Sequence, residues 1–567
     1  MISLTKGLII VGVIVVIAVV SSVTAVLLTG NDDLEEEYNF RLSIIHLNDF
    51  HARFEETSTD SGSCKSNECI GGISRVYTAV NQLRESRVNP IFLNAGDNFQ
   101  GTLWYNLFKW NVTAHFWNIL EPNVTTLGNH EFDDKIEGLV PFLNALNSPI
   151  VVSNIDDSEE PTMQGLYEKS TVLEVDGRKI GVVGVILSTT NEIASTEKLK
   201  FLDESESVNK EAERLFNEEG VFTVIVLSHC GYEVDQEIAR KAIPGISVIV
   251  GAHSHTLLYN GTPPNGIAYG PYPTLIENEE GQQILIVQAS AYTKYLGDLI
   301  VDYDENGNVI NYEGSPIYLD HTVQKDEMID ELLTPWKEEV DASGNRLLGH
   351  TNVHLDQSSC RTSECNLGNF ITDAMVAYFA NEAEEGSWTA APIAIINAGG
   401  IRTSINKGDI SFNDLATSQP FGNTVDTGKL QGKYIRELME SAAMPYNSKR
   451  VYADVNLIQV SGIRVVIDVS KPLGSRVTSL KVRCSKCDIP RFEDIDNEEF
   501  YNIALGSFLV TGGDGFSMIT DNIVDHKVGP IDTDILIDYI KQQTPIITGL
   551  DERITIVGGS TKVLLHD

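Results

Sequence analysis

From residue 41 to about residue 320, short apolar runs alternate with amphipathic stretches. Residues 42–47, 91–93, 150–153, 180–187, 221–227, 246–250 and 284–287 are near-continuous in aliphatic and β-branched side chains. A strand covered on both faces reads this way, because neither face meets water. Between the runs, segments such as 74–85 and 205–216 place apolar residues at helical spacing. The alternation predicts a layered α/β domain over 41–320, with its sheet buried between helices. Residues 321–345 are highly charged and contain Pro335, so they are expected to form a linker helix or kinked pair that serves as a hinge. A second α/β region is expected over 346–558, with strands at 393–396, 457–460, 463–469 and 501–505, followed by a short tail at 559–567.

One run is different in kind. Residues 7–28 carry no charge over 22 positions, enough to span a bilayer as a helix. Lys6 precedes the run and acidic residues follow it, which keeps the N-terminus cytoplasmic. Two readings of residues 1–30 stand side by side. One is an uncleaved signal anchor. The other is a signal peptide with its apolar core at 8–20 and a small-residue cleavage site at 21–25. Both export the body of the chain, and membrane association would run only through this segment. Residues 31–40 read as a solvated acidic spacer. No apolar stretch ends the sequence, so no C-terminal lipid-anchor signal is expected.

The 567 residues are 42% hydrophobic and 21% charged, a composition that folds. The formal charge of −39 argues against a nucleic-acid polymer as partner, since a phosphate backbone needs a basic footprint. A small nucleotide stays possible, because metals and a few arginines can make one cleft locally positive. Six of the seven cysteines fall into close pairs: Cys64 with Cys69, Cys360 with Cys365, and Cys484 with Cys487. Six cysteines allow 15 pairings. Local pairing is favoured because each pair lies in a polar, loop-like stretch, and it fits an oxidising compartment. Cys230 remains, expected as a buried free thiol. Sequons at Asn111 and Asn260 are candidate glycan sites; Asn123 lies too close to a strand entering the site.

The chemistry sits at the ends of the apolar runs. Asp49 and His51 follow the first, Asp97 the second, and Asn129, His130 and Asp133 the run at 124–127. His229 ends the run at 221–227, and His253 and His255 end the next. If the backbone is extended there, residues two apart share a face and can share an ion. A single aspartate or histidine at a strand end is usually a turn or surface residue. Five such ends in a chain with only 12 histidines are a joint pattern. Seven carboxylate, imidazole and amide ligands are too many for one tetrahedral ion and suit two divalent ions, zinc first, with manganese, iron or cobalt also compatible. Asp97 is the expected bridge, because a carboxylate offers two oxygens.

These motifs, Asn48-Asp-Phe-His, Gly96-Asp-Asn-Phe-Gln-Gly, Gly128-Asn-His-Glu-Phe-Asp, Ser228-His and Gly251-Ala-His-Ser-His, resemble the 5′-nucleotidase/apyrase family of dinuclear metallophosphoesterases. The likeness runs from residue 43 to about 558, and residues 95–106 look most like animal ecto-5′-nucleotidases and arthropod salivary apyrases. The resemblance implies a four-layer metallophosphoesterase sandwich followed by a nucleotide-binding α/β domain. It implies one metal on Asp49, His51, Asp97 and His255, the last position varying among relatives. It implies a second metal on Asp97, Asn129, His229 and His253, with calcium, magnesium or manganese as alternatives to zinc. His130 and Asp133 would be the catalytic pair. Arg361, Asn397, Arg402, Phe421, Phe508 and Asp514 would hold the nucleotide, two phenyl rings sandwiching the base. Ala398 departs from the glycine of many relatives, so the turn there is expected to shift slightly. A homodimer is implied by analogy alone. The function expected is hydrolysis of the terminal phosphate of 5′-nucleotides, AMP to adenosine. The alternatives are an apyrase acting on ATP and ADP, and, more remotely, a non-catalytic nucleotide-binding protein on the same scaffold.

Overall fold

The computed structural model describes residues 40–558, apart from 60, 63, 65–67, 384–385 and 445–455. The apolar run at 7–28, most of the acidic spacer and the tail lie outside the described residues. Among the described residues, no helix is long and apolar enough to cross a membrane.

The first region consists of two six-stranded sheets packed face to face. In one sheet, Phe40–Leu47 runs antiparallel to Tyr295–Tyr303 and parallel to Pro90–Asn94, which in turn pairs with the short strand Val124–Thr125. In the other, Arg178–Ile186, Thr223–His229, Ile246–Val250 and Gln283–Val287 are parallel, with antiparallel strands added at both edges. Alternation along Phe40–Leu47 sorts the layers. Leu42 and Ile44 join the core between the sheets, whereas Ile45 and Leu47 pack with the helices Ile73–Ser86 and Trp110–Leu120. The helix Ile73–Ser86 turns Ile73, Val76, Val80 and Leu83 inward, a helical-period stripe. Thr223–His229 is buried at every position, so its run reads as uninterrupted. Helices Glu204–Arg214 and Tyr232–Lys241 complete the opposite outer layer.

One expected strand is absent. Residues 150–153 split their backbone bonds among partners: Val151 donates to Thr125, Val152 to Glu168 and Ser153 to Gly184. No single neighbour pairs along them, so only isolated bridges form.

The charged stretch after residue 320 contains one continuous helix, Glu327–Gly344, with Pro335 inside it. Ile329, Leu333 and Val340 enter the core of the first region, and Trp336 meets Phe108 edge-on at 4.8 Å. Lys337 pairs with Glu55. The helix is therefore packed on the first region, and its last residue, Gly344, also lies against Asn413 of the second. Beyond it stand a five-stranded sheet containing Ile393–Asn397 and Phe500–Gly506, a four-stranded sheet, and the helices Asn366–Ala380 and Gly432–Ala442. The three disulfides, Cys64–Cys69, Cys360–Cys365 and Cys484–Cys487, all close locally, and Cys230 is free and buried.

Candidate dinuclear metal site and substrate cleft

All seven sequence-derived ligands come together where the parallel strands end, the position at which open α/β sheets form clefts. The ligand atoms of Asp49, His51, Asp97 and His255 lie within 4.8 Å of one another, as do those of Asp97, His229 and His253. Asp97 belongs to both groups. Asn129 joins through its side-chain oxygen, 2.8 Å from His253 Nδ1.

The backbone that presents these groups is not extended. Asp49, His51, Asp97, His253 and His255 have φ of 52°, 49°, 53°, 71° and 54°. The paired spacing therefore works through left-handed turns past the strand ends, not through alternation along a strand. Such conformations are costly for non-glycine residues and persist where surrounding bonds fix them. Here Asp49 N donates to Gly96 O at 3.2 Å, His51 N to Asp97 O at 2.9 Å, and Tyr292 N to Asp49 O at 2.8 Å. Glycine is required twice for close approach. A Cβ on Gly128 would stand 2.1 Å from Asp97 Oδ1, and one on Gly96 would meet the backbone nitrogen of Gly128 at 2.6 Å.

The donor set fits cations. His51 Nδ1 faces Gln100 O at 3.2 Å and His229 Nδ1 faces Ala95 O at 2.7 Å, so each ring's N–H is committed to a carbonyl. The neutral His51 ring then presents the lone pair of its Nε2 to the cluster. His229 Nε2 lies 3.1 Å from Asp97 Oδ2, and His51 Nε2 lies 3.1 Å from His255 Nε2. A cation shared by these converging atoms would supply the positive charge that the buried Asp97 carboxylate needs. The electrostatics agree. Burial raises the Asp49 carboxyl to about 7 against the pull of His229. Burial alone would raise Asp97 too, but His229, His130 and His51 outweigh it and hold it well below the carboxylate range. Burial would lower His229, yet Asp97 and Asp49 lift it to about 10. The site calls for positive charge beside two buried carboxylates.

His130 and Asp133 line the same cleft. His130 Nδ1 is 2.7 Å from Asp133 Oδ2, and burial is outweighed by Asp133 and Asp97, which raise the imidazole above its ordinary range. The second region supplies the opposite wall. Asn397 Nδ2 donates to Asp514 Oδ2 at 2.7 Å, and Arg402 Nη2 reaches within 3.4 Å of His51 Nε2. The Phe421 ring stacks on His130 at 5.8 Å. Phe508 rests on Gly513, where a Cβ would come within 2.4 Å of the ring. Arg361, Asn397, Arg402, Phe421, Phe508 and Asp514 share one cavity of about 810 Å³ with Asp97, Asn129, His130, Asp133, His253 and His255. Ala398 is buried at the start of the 3-10 turn Ala398–Gly400, whose residues have no positive φ, so the missing glycine strains nothing there. Of the candidate glycan sites, Asn111 is exposed on the first turn of its helix. Asn260 is exposed as well, with its amide bonded to the backbone of Tyr272. Asn123 Oδ1 accepts from Phe92 N at 2.8 Å.

The supports of the site carry no sequence pattern of their own. Glu131, fully buried, accepts from the backbone nitrogens of Asp97, Asn98, Phe99 and Gly128, clamping two ligand loops together. Its only signal was membership of the Gly128–Asp133 motif. Arg53 is buried against the Tyr292 ring at 4.5 Å and donates to the carbonyls of His51 and Gly101. Glu131→Gln turns an amide N–H₂ against two backbone donors. It is expected to cost about 2–4 kcal/mol of stability, read from the denaturant midpoint, and to weaken metal retention on dialysis.

Comparison with known proteins agrees with this geometry. Residues 42–257 match the calcineurin-like phosphoesterase family and residues 347–521 the 5′-nucleotidase C-terminal domain. A protein of Tabanus yao named apyrase is 50% identical over 521 residues, covering 91% of this chain and 94% of that one. The 5′-nucleotidase of Bos taurus is 38% identical, covering 92% of each. The crystal structure of a 5′-nucleotidase precursor from Thermus thermophilus superposes with a TM-score of 0.84 at 34% identity, over 92% of this chain and all of that one. With both regions matched and relatives of this identity along nearly the whole chain, the chain belongs to the 5′-nucleotidase/apyrase family of metallophosphoesterases.

Proposed function

We propose that the protein is an exported, metal-dependent hydrolase that removes the terminal phosphate of purine 5′-nucleotides, AMP included. One observation carries this reading: a single cavity joins the metal-type ligands to Arg361, Arg402, Asn397, Asp514 and two phenyl rings. Two divalent ions, zinc by preference, would be held by Asp49, His51, Asp97 and His255 and by Asp97, Asn129, His229 and His253. Bound there, they supply Lewis-acid charge to a phosphoryl group and activate water for its displacement. The remaining work falls to side chains. Asp133 fixes the His130 tautomer and keeps a proton available at Nε2 for the phosphoryl or leaving oxygen. Arg402, 3.4 Å from His51 Nε2, offsets the negative charge of the phosphate, Arg361 and Asp514 bind the ribose, and Phe421 and Phe508 stack on the base. The three disulfides support an extracellular setting.

A second reading, an apyrase releasing phosphate from ATP and ADP, is favoured by the name of the Tabanus yao relative. Phosphate release from AMP, ADP and ATP, each with and without chelator, tests both. The expected result is turnover of AMP that chelator abolishes and added zinc restores. Turnover of ATP and ADP with AMP left intact selects the apyrase. Turnover that ignores the chelator removes both.

A further inference from the structure

Arg361 lies in the short ring closed by Cys360–Cys365, and that ring is bonded to two distant parts of the chain. Gln459, fully buried on the strand Ile458–Ser461, donates to Cys360 O at 2.6 Å and Ser363 O at 2.9 Å and accepts from Cys365 N at 3.1 Å. Gly368 leaves the space for it, since a Cβ there would meet Gln459 Cγ at 2.4 Å. Leu457 N donates to Arg361 O at 3.0 Å. The ring itself contains Glu364, 7% exposed. Its Oε1 accepts from Asn369 Nδ2 and Asp551 N, each at 2.7 Å, and its Oε2 from Arg553 N at 2.6 Å and Ile554 N at 3.2 Å. Asn369 also donates to Gly549 O at 3.0 Å.

We infer that Glu364 is a positioning residue for substrate recognition. Its carboxylate ties the ring that carries Arg361 to the segment 551–554, and Gln459 holds the ring through its backbone groups. The guanidinium then meets the nucleotide with its backbone already fixed, and binding orders less of the protein. The inference rests on the proposed contact of Arg361 with substrate. Glu364 itself touches neither the cavity nor the metal ligands, so its effect should appear only in what Arg361 does.

The test uses two substrates of the metal-loaded full chain: AMP, or whichever adenine nucleotide the wild type turns over, and p-nitrophenyl phosphate, which has no nucleoside. In Glu364→Gln the new amide N–H₂ faces backbone donors, so KM for the nucleotide is expected to rise about tenfold with kcat within about twofold. The p-nitrophenyl phosphate rate should stay within about twofold of wild type. Adding Glu364→Gln to Arg361→Ala should change little further, because the residue it positions is gone. Glu364→Asp, which keeps both oxygens, should recover part of the KM. Equal losses on both substrates, or full additivity with Arg361→Ala, would overturn the inference. Should Glu364→Gln not fold, Gln459→Glu, which removes two donors to the same ring, carries the same comparison. A wild type inert toward all three nucleotides but active on p-nitrophenyl phosphate is a distinct outcome that defeats the proposed function.

Discussion

Asp97→Asn is expected to lower kcat/KM on any phosphate ester by roughly 10³-fold or more, about 4 kcal/mol of transition-state stabilisation. The same change should leave less than two tightly held metal ions per chain. The expectation follows from placement. Asp97 Oδ2 lies 3.1 Å from His229 Nε2 and 3.6 Å from His51 Nε2, one ring from each ligand group. Its Oδ1 accepts from His130 N at 2.9 Å. An amide has one acceptor oxygen and no charge, so it can serve one of these partners and turns donors toward another. The fold should survive, since Asn matches Asp in size and Glu131 continues to hold the backbone nitrogen of residue 97. Elemental analysis with steady-state rates checks both parts. Full activity with two ions retained would mean that the carboxylate is not shared between metals.

Why Asp97 could be singled out from sequence, while Glu131 and Arg53 could not, has a physical basis. The strands before the ligands are buried on both faces, and burial on both faces leaves a run with no polar break. The ligand then appears as an abrupt polar residue after apolar ones, as in Ile91-Phe-Leu-Asn-Ala-Gly-Asp97. The helix Ile73–Ser86 was legible for the complementary reason, since one face is wet. What escaped was set by distant partners. Tyr295–Tyr303 lies beside Phe40–Leu47 across some 250 positions of chain, and nothing local announces that pairing. The left-handed turns at Asp49 and His51 are imposed by bonds from Gly96, Asp97 and Tyr292, so the local sequence suggested extension instead. Glu131, Arg53 and Glu364 act on backbone groups, which every residue has, and therefore leave no pattern of matching side chains.

His130→Ala should lower kcat on nucleotides by about 10²–10⁴-fold while leaving the metal content unchanged. The two effects separate because His130 serves the site twice. Its backbone N–H bonds Asp97, and that bond survives the substitution. Its ring lies outside both ligand groups and is held by Asp133 at 2.7 Å. Asp133→Asn should cost less, because the imidazole remains but loses the carboxylate charge that raises its proton affinity. The double variant should be little worse than His130→Ala, since Asp133 acts through the ring. The choice of leaving group then divides the two roles open to the imidazole. A ring that protonates the leaving oxygen matters for the alkoxide released from AMP and little for p-nitrophenolate, which departs without a proton. A ring that stabilises charge on the phosphoryl oxygens matters equally for both. A loss on AMP at least tenfold larger than on p-nitrophenyl phosphate would assign the proton to the leaving group. Equal losses would assign it to the phosphoryl oxygens, and no loss on either would remove His130 from the reaction.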